Sequence, residues 1–370
     1  MLVGVPKEIK SDEFRVGLTP AAVREFIAND HEVLVETGAG AGIGESDDSY
    51  VAVGAHIMPA AEIFERAEMI IKVKEPQPIE CSRLREGQIL FTYLHLAADF
   101  EQTKSLLNSG CTAVAYETVK TNTGQLPLLA PMSEVAGRLS IEAAAACLRK
   151  TSGGPGLLMG GVPGVAPARI VVLGGGVVGL QAARMATGLG AEVVILDRSL
   201  PRLRQLDEMF AGRVVTLYAS QDAVEREASK ADAVIGAVLV TGAKAPKLIS
   251  RGYLGELKSG VALVDVAIDQ GGCFETSRPT THSNPTYLVD GVTHYCVANM
   301  PGAVPRTSSA ALCAATLPYG LVLADRGLEA LRSDEGLRAG LNVHRGRLTN
   351  RAVGQSLEMD WVELDTALAC

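Results

Sequence analysis

Gly174, Gly176 and Gly179 stand at G-x-G-x-x-G spacing, directly after the apolar run Ile170 to Leu173 and before the helical pattern Leu180, Ala182, Ala183, Met185, Ala186. A strand, a glycine turn and a helix in this order suit a dinucleotide. The first glycine permits a tight turn, the second lets backbone approach a pyrophosphate, and the third lets helix pack on strand. Backbone N–H groups at the helix start, including those of Val177 and Val178, face the phosphates. The next run, Glu192 to Leu196, ends at Asp197, 18 residues beyond Gly179. An acid there accepts from the adenine ribose hydroxyls and repels a 2′-phosphate, which points to NAD rather than NADP. The plainer reading is a glycine-rich βα turn without ligand.

Four further side chains lie at the ends of apolar runs. Arg15 is in the polar loop after Leu2 to Val5, Lys74 closes Met69 to Val73, His95 closes Ile89 to Leu94, and Asp269 follows Val264 to Ile268. Ligands of open parallel sheets bind at the carboxyl ends of strands. Arg15, Lys74 and His95 therefore converge on one cationic, proton-exchanging edge, and Asp269 brings a carboxylate to another strand end facing an interdomain cleft. Each has an ordinary alternative. Arg15 is then a loop charge, Lys74 a solvated neighbour of Glu75, His95 a hydrogen-bonded structural histidine, and Asp269 a cap or turn residue.

The elements that position these groups read as α/β throughout. Strands are expected at Leu2–Val5, His31–Glu36, Met69–Val73, Ile89–Leu94 and Thr112–Tyr116, with Thr19 capping a helix that starts at Pro20. The second glycine cluster, Gly38 to Gly44, fails the nucleotide spacing because Ile43 occupies the third glycine position, and it reads as a flexible turn. A long Ala-rich helix begins at Pro131-Met132-Ser133-Glu134, with Ser133 as a plausible N-cap. After Asp197 come a helix opened by Ser199 and Pro201 and carrying Arg202, then strands Val214–Tyr218 (ending near Ser220), Asp232–Leu239, Val261–Ile268 and Tyr295–Ala298. Val238 and Leu239 lie at a strand end where a nicotinamide ribose passes. The pattern is helical from Thr307 to Leu331, and the tail Asn342–Trp361 has strand-and-turn character. The expected fold is two Rossmann-like domains, parallel sheets flanked by helices, with a cleft between them. Residues 1–130 and 306–370 form one domain, and residues 131–305 are inserted as the nucleotide domain. Two connections of this kind permit hinge closure over a ligand.

Of the 370 residues, 47% are hydrophobic and 4% aromatic, and the net charge is −8, which argues against nucleic acid and leaves no polybasic membrane patch. The seven cysteines are scattered without a C-x-x-C pair and read as reduced core thiols of a cytosolic protein. Met1 to Glu8 reads as a short strand followed by charge rather than a targeting segment. No apolar run is expected to reach the roughly 20 residues that span a bilayer.

End to end, the chain resembles the alanine dehydrogenase family. The resemblance rests on Val5-Pro6-Lys7-Glu8, Arg15-Val16, Val73-Lys74-Glu75-Pro76, Tyr93-Leu94-His95-Leu96-Ala97 and Ala130-Pro131-Met132-Ser133-Glu134. It continues through Gly174 to Gly179, Asp265 to Gly272 and Asn299-Met300-Pro301-Gly302-Ala303-Val304-Pro305. It implies NAD-dependent, reversible oxidative deamination of L-alanine to pyruvate and ammonia by a homohexamer. It also implies that Arg15 and Lys74 hold substrate, that His95 and Asp269 do proton chemistry, and that Ser133, Asp197, Arg202, Ser220, Val238, Leu239, Asn299 and Met300 line the cofactor. The related alternative is the NAD-binding component of a proton-translocating transhydrogenase. In that family the positions of Lys74 and Asp269 carry amides and the His95 position is not histidine. A catalytically silent nucleotide sensor is the alternative of another class.

Overall fold

The computed structural model describes residues 1–238 and 245–369. These form two compact units, Met1–Met132 with Val304–Cys370, and Ser133–Ala303. The first unit opens with the parallel strands β1 (Leu2–Val5), β2 (Glu32–Glu36), β3 (His56–Met58), β4 (Met69–Ile71), β5 (Ile89–Thr92) and β6 (Thr112–Ala115). The second contains β7 (Arg169–Leu173), β8 (Glu192–Asp197), β9 (Val215–Tyr218), β10 (Ala233–Gly236), β11 (Ala262–Asp265), β12 (Thr286–Val289) and β13 (Val292–Tyr295). The chain then returns to the first sheet with β14 (Leu341–His344) and β15 (Arg347–Leu348).

The first sheet runs β15-β14-β6-β5-β4-β1-β2-β3 and the second β12-β13-β11-β10-β7-β8-β9. Both are mixed rather than wholly parallel. β14 joins β6 antiparallel, β15 joins β14 antiparallel, and β12 joins β13 antiparallel. In the second unit, successive residues of β7 and β8 serve opposite cores. Ile170, Val172, Val193 and Ile195 face one cluster, while Val171, Leu173, Val194 and Leu196 face the other. This sheet is covered on both faces, so its central strands are continuous apolar runs. In the first unit, Leu34, Ile70, Leu90, Ala113 and Val343 share one core with Ile63, Phe64 and Leu106.

Several boundaries differ from those expected. β4 stops at Ile71 and β11 at Asp265, and next to these ends Lys72 is a buried charge bound to Glu80 while Asp265 accepts from backbone N–H groups of the turn that follows. The Ala-rich helix runs Ala130–Cys147, so Ser133 lies inside its first turns and is not the N-cap. The last expected strand is displaced to Val292–Tyr295 and is preceded by an unforeseen partner, β12, across a turn with Asp290 at φ 50° and Gly291 at φ 81°. β3 was likewise unforeseen. The tail adds helices Arg351–Leu357 and Leu364–Leu368 to its strands. The Gly38–Gly44 segment is packed rather than loose: a Cβ at Gly42 would lie 2.2 Å from the Phe14 carbonyl oxygen, and one at Gly40 2.6 Å from the Tyr50 ring. Helix Pro305–Arg326, at 22 residues, is long and apolar enough by length and composition to cross a membrane, contrary to expectation. Here it packs within its unit, burying Leu312, Cys313, Thr316, Gly320 and Leu323, and Ser309 Oγ accepts from Val16 N–H at 3.1 Å. Among the described residues, six cysteines are free and buried.

Candidate active site

In the first sheet β1 lies between β2 and β4, so crossovers leave it in opposite directions. The carboxyl ends of β1 and β4 thus form a topological switch point, where ligands of such sheets bind. Arg15, Lys74 and His95 follow β1, β4 and β5 on this edge.

Arg15 is no ordinary loop charge. It is buried, and its Nε and Nη2 donate to the two Glu13 oxygens at 2.7 and 2.5 Å, while Nη1 reaches Met132 Sδ at 3.0 Å. Burial by itself lowers the guanidinium pKa, but Glu13 outweighs it and holds the group above its ordinary value. The pair is bidentate, which fixes the direction of the guanidinium.

Lys74 is half-buried, and its ammonium makes no hydrogen bond among the described residues. Glu75 is desolvated, yet Lys74 and Lys10 together hold its carboxyl below the usual range. The backbone around Lys74 is tightly held: Glu8 Oε1 accepts from Val73 N–H at 2.7 Å and Lys74 N–H at 3.2 Å, and Thr92 Oγ1 donates to the Lys74 carbonyl at 2.9 Å.

His95 is exposed and sits at φ 52°, a left-handed conformation that costs a non-glycine residue about 1–3 kcal/mol. Glu117 holds it there, accepting from His95 N–H at 2.6 Å and Leu94 N–H at 3.2 Å, with His95 Nδ1 3.9 Å from its Oε1. The Tyr93 ring lies parallel to the imidazole at 5.7 Å between centroids, and its hydroxyl is anchored on the Leu128 carbonyl at 2.5 Å. The imidazole is thus oriented yet open to solvent, as a proton-exchanging group requires.

In the second unit the switch point falls between β7 and β10. Gly174, at φ 102°, turns the chain there, and a Cβ would lie 2.6 Å from the Ala237 carbonyl oxygen. A Cβ on Gly179 would be 1.8 Å from the Gly174 carbonyl oxygen, whereas one on Gly176 would meet nothing within 4 Å. Two glycines therefore serve packing, and the middle one leaves the approach clear. Gly176 is the N-cap of helix Val177–Gly188 and supplies no side-chain cap, so the first N–H groups stay available to an anion. Asp197, at the end of β8, accepts from Gly175 N–H and Ser199 N–H, each at 2.7 Å. A carboxylate has about four acceptor positions, so capacity for ribose hydroxyls remains. Arg202 Nε donates to the Gly175 carbonyl at 2.6 Å, which ties it to the same turn. These residues fit the adenosine and pyrophosphate of NAD.

Val238 borders the glycine turn, its Cγ2 being 3.0 Å from a Cβ built on Gly174, while Leu239 lies outside the described residues. Ser220 caps helix Gln221–Ala228 by accepting from Ala223 N–H at 3.1 Å, next to the end of β9. Ser133 is half-buried in its helix. Met300 turns its side chain into a core with Ala136 and Val297, leaving backbone as its polar surface. Asn299 adopts φ 62°, and its carbonyl lies 3.1 Å from His282 Nε2.

Asp269 is exposed in the single turn Ile268–Gln270, and its carboxylate has no hydrogen-bond partner among the described residues. The turn is organised by Asp265, which is buried and accepts from Ala267, Cys273 and Phe274 N–H and from Ser277 Oγ at 3.1, 2.7, 3.3 and 2.5 Å. Burial pushes the Asp265 pKa up against these donors. The residues that escaped sequence reasoning are these supports: Glu8, Glu13, Glu117 and Asp265. The available signal was a charge inside an apolar run, as in Val264-Asp265-Val266.

With this geometry in hand, comparison with known proteins is specific. Residues 4–136 match the alanine dehydrogenase/PNT N-terminal domain and residues 140–351 its C-terminal domain. The chain is 57% identical over 365 residues to an alanine dehydrogenase of Halomonas elongata, covering 98% of each. It superposes on a solved L-alanine dehydrogenase with TM-score 0.94 at 51% identity, covering 97% of this chain and 99% of that one. A transhydrogenase from Sinorhizobium meliloti gives TM-score 0.81 at 25% identity, over 95% and 100% of the two chains. The matches span both units, and the chain belongs to the alanine dehydrogenase/PNT family.

Proposed function

We propose that this chain catalyses the NAD-dependent reversible oxidative deamination of L-alanine to pyruvate and ammonia. Residues 1–130 and 306–370 serve the amino or oxo acid, and residues 131–305 serve the cofactor and contribute Asp269. The observation that carries this reading is the cluster of Arg15, Lys74 and His95 on the switch-point edge of the first sheet. A protein passing hydride between two nucleotides has no need of that cluster. The higher identity to alanine dehydrogenases than to a transhydrogenase favours the same conclusion.

In the direction of amination, Arg15 receives the pyruvate carboxylate in an orientation fixed by Glu13. Lys74 donates to a substrate oxygen. Ammonia adds to the carbonyl to give a carbinolamine, which loses water to become an iminium. His95 moves protons on the departing oxygen. Asp269 takes a proton from the incoming ammonium and its charge favours the iminium. NAD, in its reduced form, supplies the hydride that completes the amine. Asp197 and Arg202 bind the adenosine side, the Gly174–Gly179 turn with Val177 and Val178 takes the pyrophosphate, and Ser133, Ser220, Val238, Leu239, Asn299 and Met300 line the remainder. Family resemblance further supports a cytoplasmic homohexamer, testable by light scattering as a mass about six times 38.8 kDa.

The test is a steady-state assay of the purified protein with L-alanine and NAD. Pyruvate and NADH appearing in equal amounts is the expected result. NADH-dependent reduction of a second nucleotide without alanine turnover would favour the transhydrogenase reading. Cofactor binding with neither reaction would favour a sensor.

A further inference from the structure

Lys72 is wholly buried between two carboxylates, Glu80 at 2.7 Å and Glu8 at 3.1 Å. Burial disfavours its charge, but the two acids outweigh burial and keep its pKa raised. One acid suffices to balance one ammonium, and a second buried carboxylate carries a desolvation cost. The two acids do different work. Glu80 spends its other oxygen on Gln77 N–H at 2.7 Å, within its own turn. Glu8 reaches across from the loop after β1 and spends its other oxygen on Val73 and Lys74 N–H. The Glu8 carboxylate therefore ties the loop after β1 to the backbone of Lys74 in the loop after β4.

We infer that Glu8 is a positioning residue for the reaction, acting through Lys74: it fixes the backbone from which the Lys74 ammonium reaches substrate, and Lys72 is the counterion that lets it do so while buried. This rests on the reading of Lys74 as a substrate-binding lysine. Glu8→Met removes both acceptor oxygens at similar volume and leaves Lys72 balanced by Glu80. Glu80→Met is the matched control. It deletes the other carboxylate of the same cluster and leaves the Glu8 bonds to Val73 and Lys74 intact.

The experiment measures KM for pyruvate and for NADH in the full-length enzyme for Glu8→Met, Glu80→Met, Lys74→Ala and the double variant Glu8→Met/Lys74→Ala. Glu8→Met is expected to raise the pyruvate KM about tenfold, on the scale of a lost charge-assisted hydrogen bond, with the NADH KM unchanged. Glu80→Met leaves both constants near wild type. In the Lys74→Ala background, Glu8→Met adds less than about twofold, because its effect runs through the missing side chain. If Glu8→Met does not fold, Glu8→Asp keeps the charge and withdraws the acceptor by one methylene, and the same pattern is expected at smaller size. Full multiplication of the two single effects, or equal effects from Glu8 and Glu80, would overturn the proposal and make Glu8 a structural residue. An unchanged pyruvate KM in Lys74→Ala alone would instead overturn the assignment of Lys74 on which it rests.

Discussion

The two sheets place their switch points at equivalent positions in the strand order and furnish them in opposite ways. In the first unit the edge is crowded with charged side chains held in buried pairs, Arg15 with Glu13 and Lys72 with Glu8 and Glu80. In the second it is stripped to backbone: Gly174 and Gly179 pack where no side chain fits, Gly176 leaves open space, and the principal charge is Asp197 at the adjoining strand end. A small, doubly functional substrate needs several directed charges within a few ångströms. A long diphosphate needs clearance and unpaired N–H groups. On the proposed reading, one topology serves two ligands by filling one crevice and emptying the other. Substitutions on the edge of the first sheet should therefore move turnover and pyruvate constants, those in the glycine turn and at Asp197 should move cofactor constants, and Asp269 is the one second-unit residue expected to move turnover.

The largest expected effects are on turnover. His95→Ala and Asp269→Ala each lower kcat by about 10²–10⁴, the usual contribution of a general acid or base. A fall of less than about fivefold would return the residue to a structural role. Next come the glycines, which separate packing from clearance within the second unit. Gly179→Ala forces a methyl against the Gly174 carbonyl and costs about 1–3 kcal/mol of stability along with NADH affinity. Gly176→Ala leaves thermal stability unchanged and weakens NADH binding alone. Equal stability losses in a denaturation series would contradict the distinction.

How far these assignments were legible beforehand depended on what kind of signal each residue left. The glycine turn, β7, β8 and Asp197 were legible because spacing and apolar continuity are local properties of the chain. The strand ends carrying Arg15, Lys74 and His95 were legible for the same reason. β3 was missed because three residues leave no period to read. β12 was missed although Asp290-Gly291 is a hairpin signal, because its faces are only partly buried and its apolar alternation is weak. Of the buried acids, Glu8 left no local signal, since its partners lie 64 to 66 residues away, whereas Asp265 left one as a charge inside an apolar run. Lys72 in Met69-Ile70-Ile71-Lys72-Val73 was a hint of the same kind, and its two partners lie 8 and 64 residues away.

Cofactor choice gives a smaller effect. Asp197→Ala is expected to narrow the preference for NAD over NADP by about tenfold or more in kcat/KM, since the charge-assisted bonds to ribose hydroxyls are each worth about 1.5–3 kcal/mol. Arg198, Arg202 and Arg204 remain to attract a phosphate. An unchanged ratio would remove Asp197 from the selection. Smallest of all, Arg15→Lys keeps the charge but loses the two-pronged contact with Glu13, and should raise the pyruvate KM about tenfold with the NADH KM unmoved. An unaltered pyruvate KM would detach Arg15 from the substrate.

The division of labour between the units is tested most directly by titrating the His95→Ala enzyme with NADH, followed by nucleotide fluorescence, beside its pyruvate turnover. The predicted result is turnover reduced by about 10²–10⁴ while the Kd for NADH stays within about twofold of wild type. A loss of NADH affinity in step with the loss of turnover would contradict the account, because His95 would then belong to the cofactor site or to the fold rather than to the chemistry.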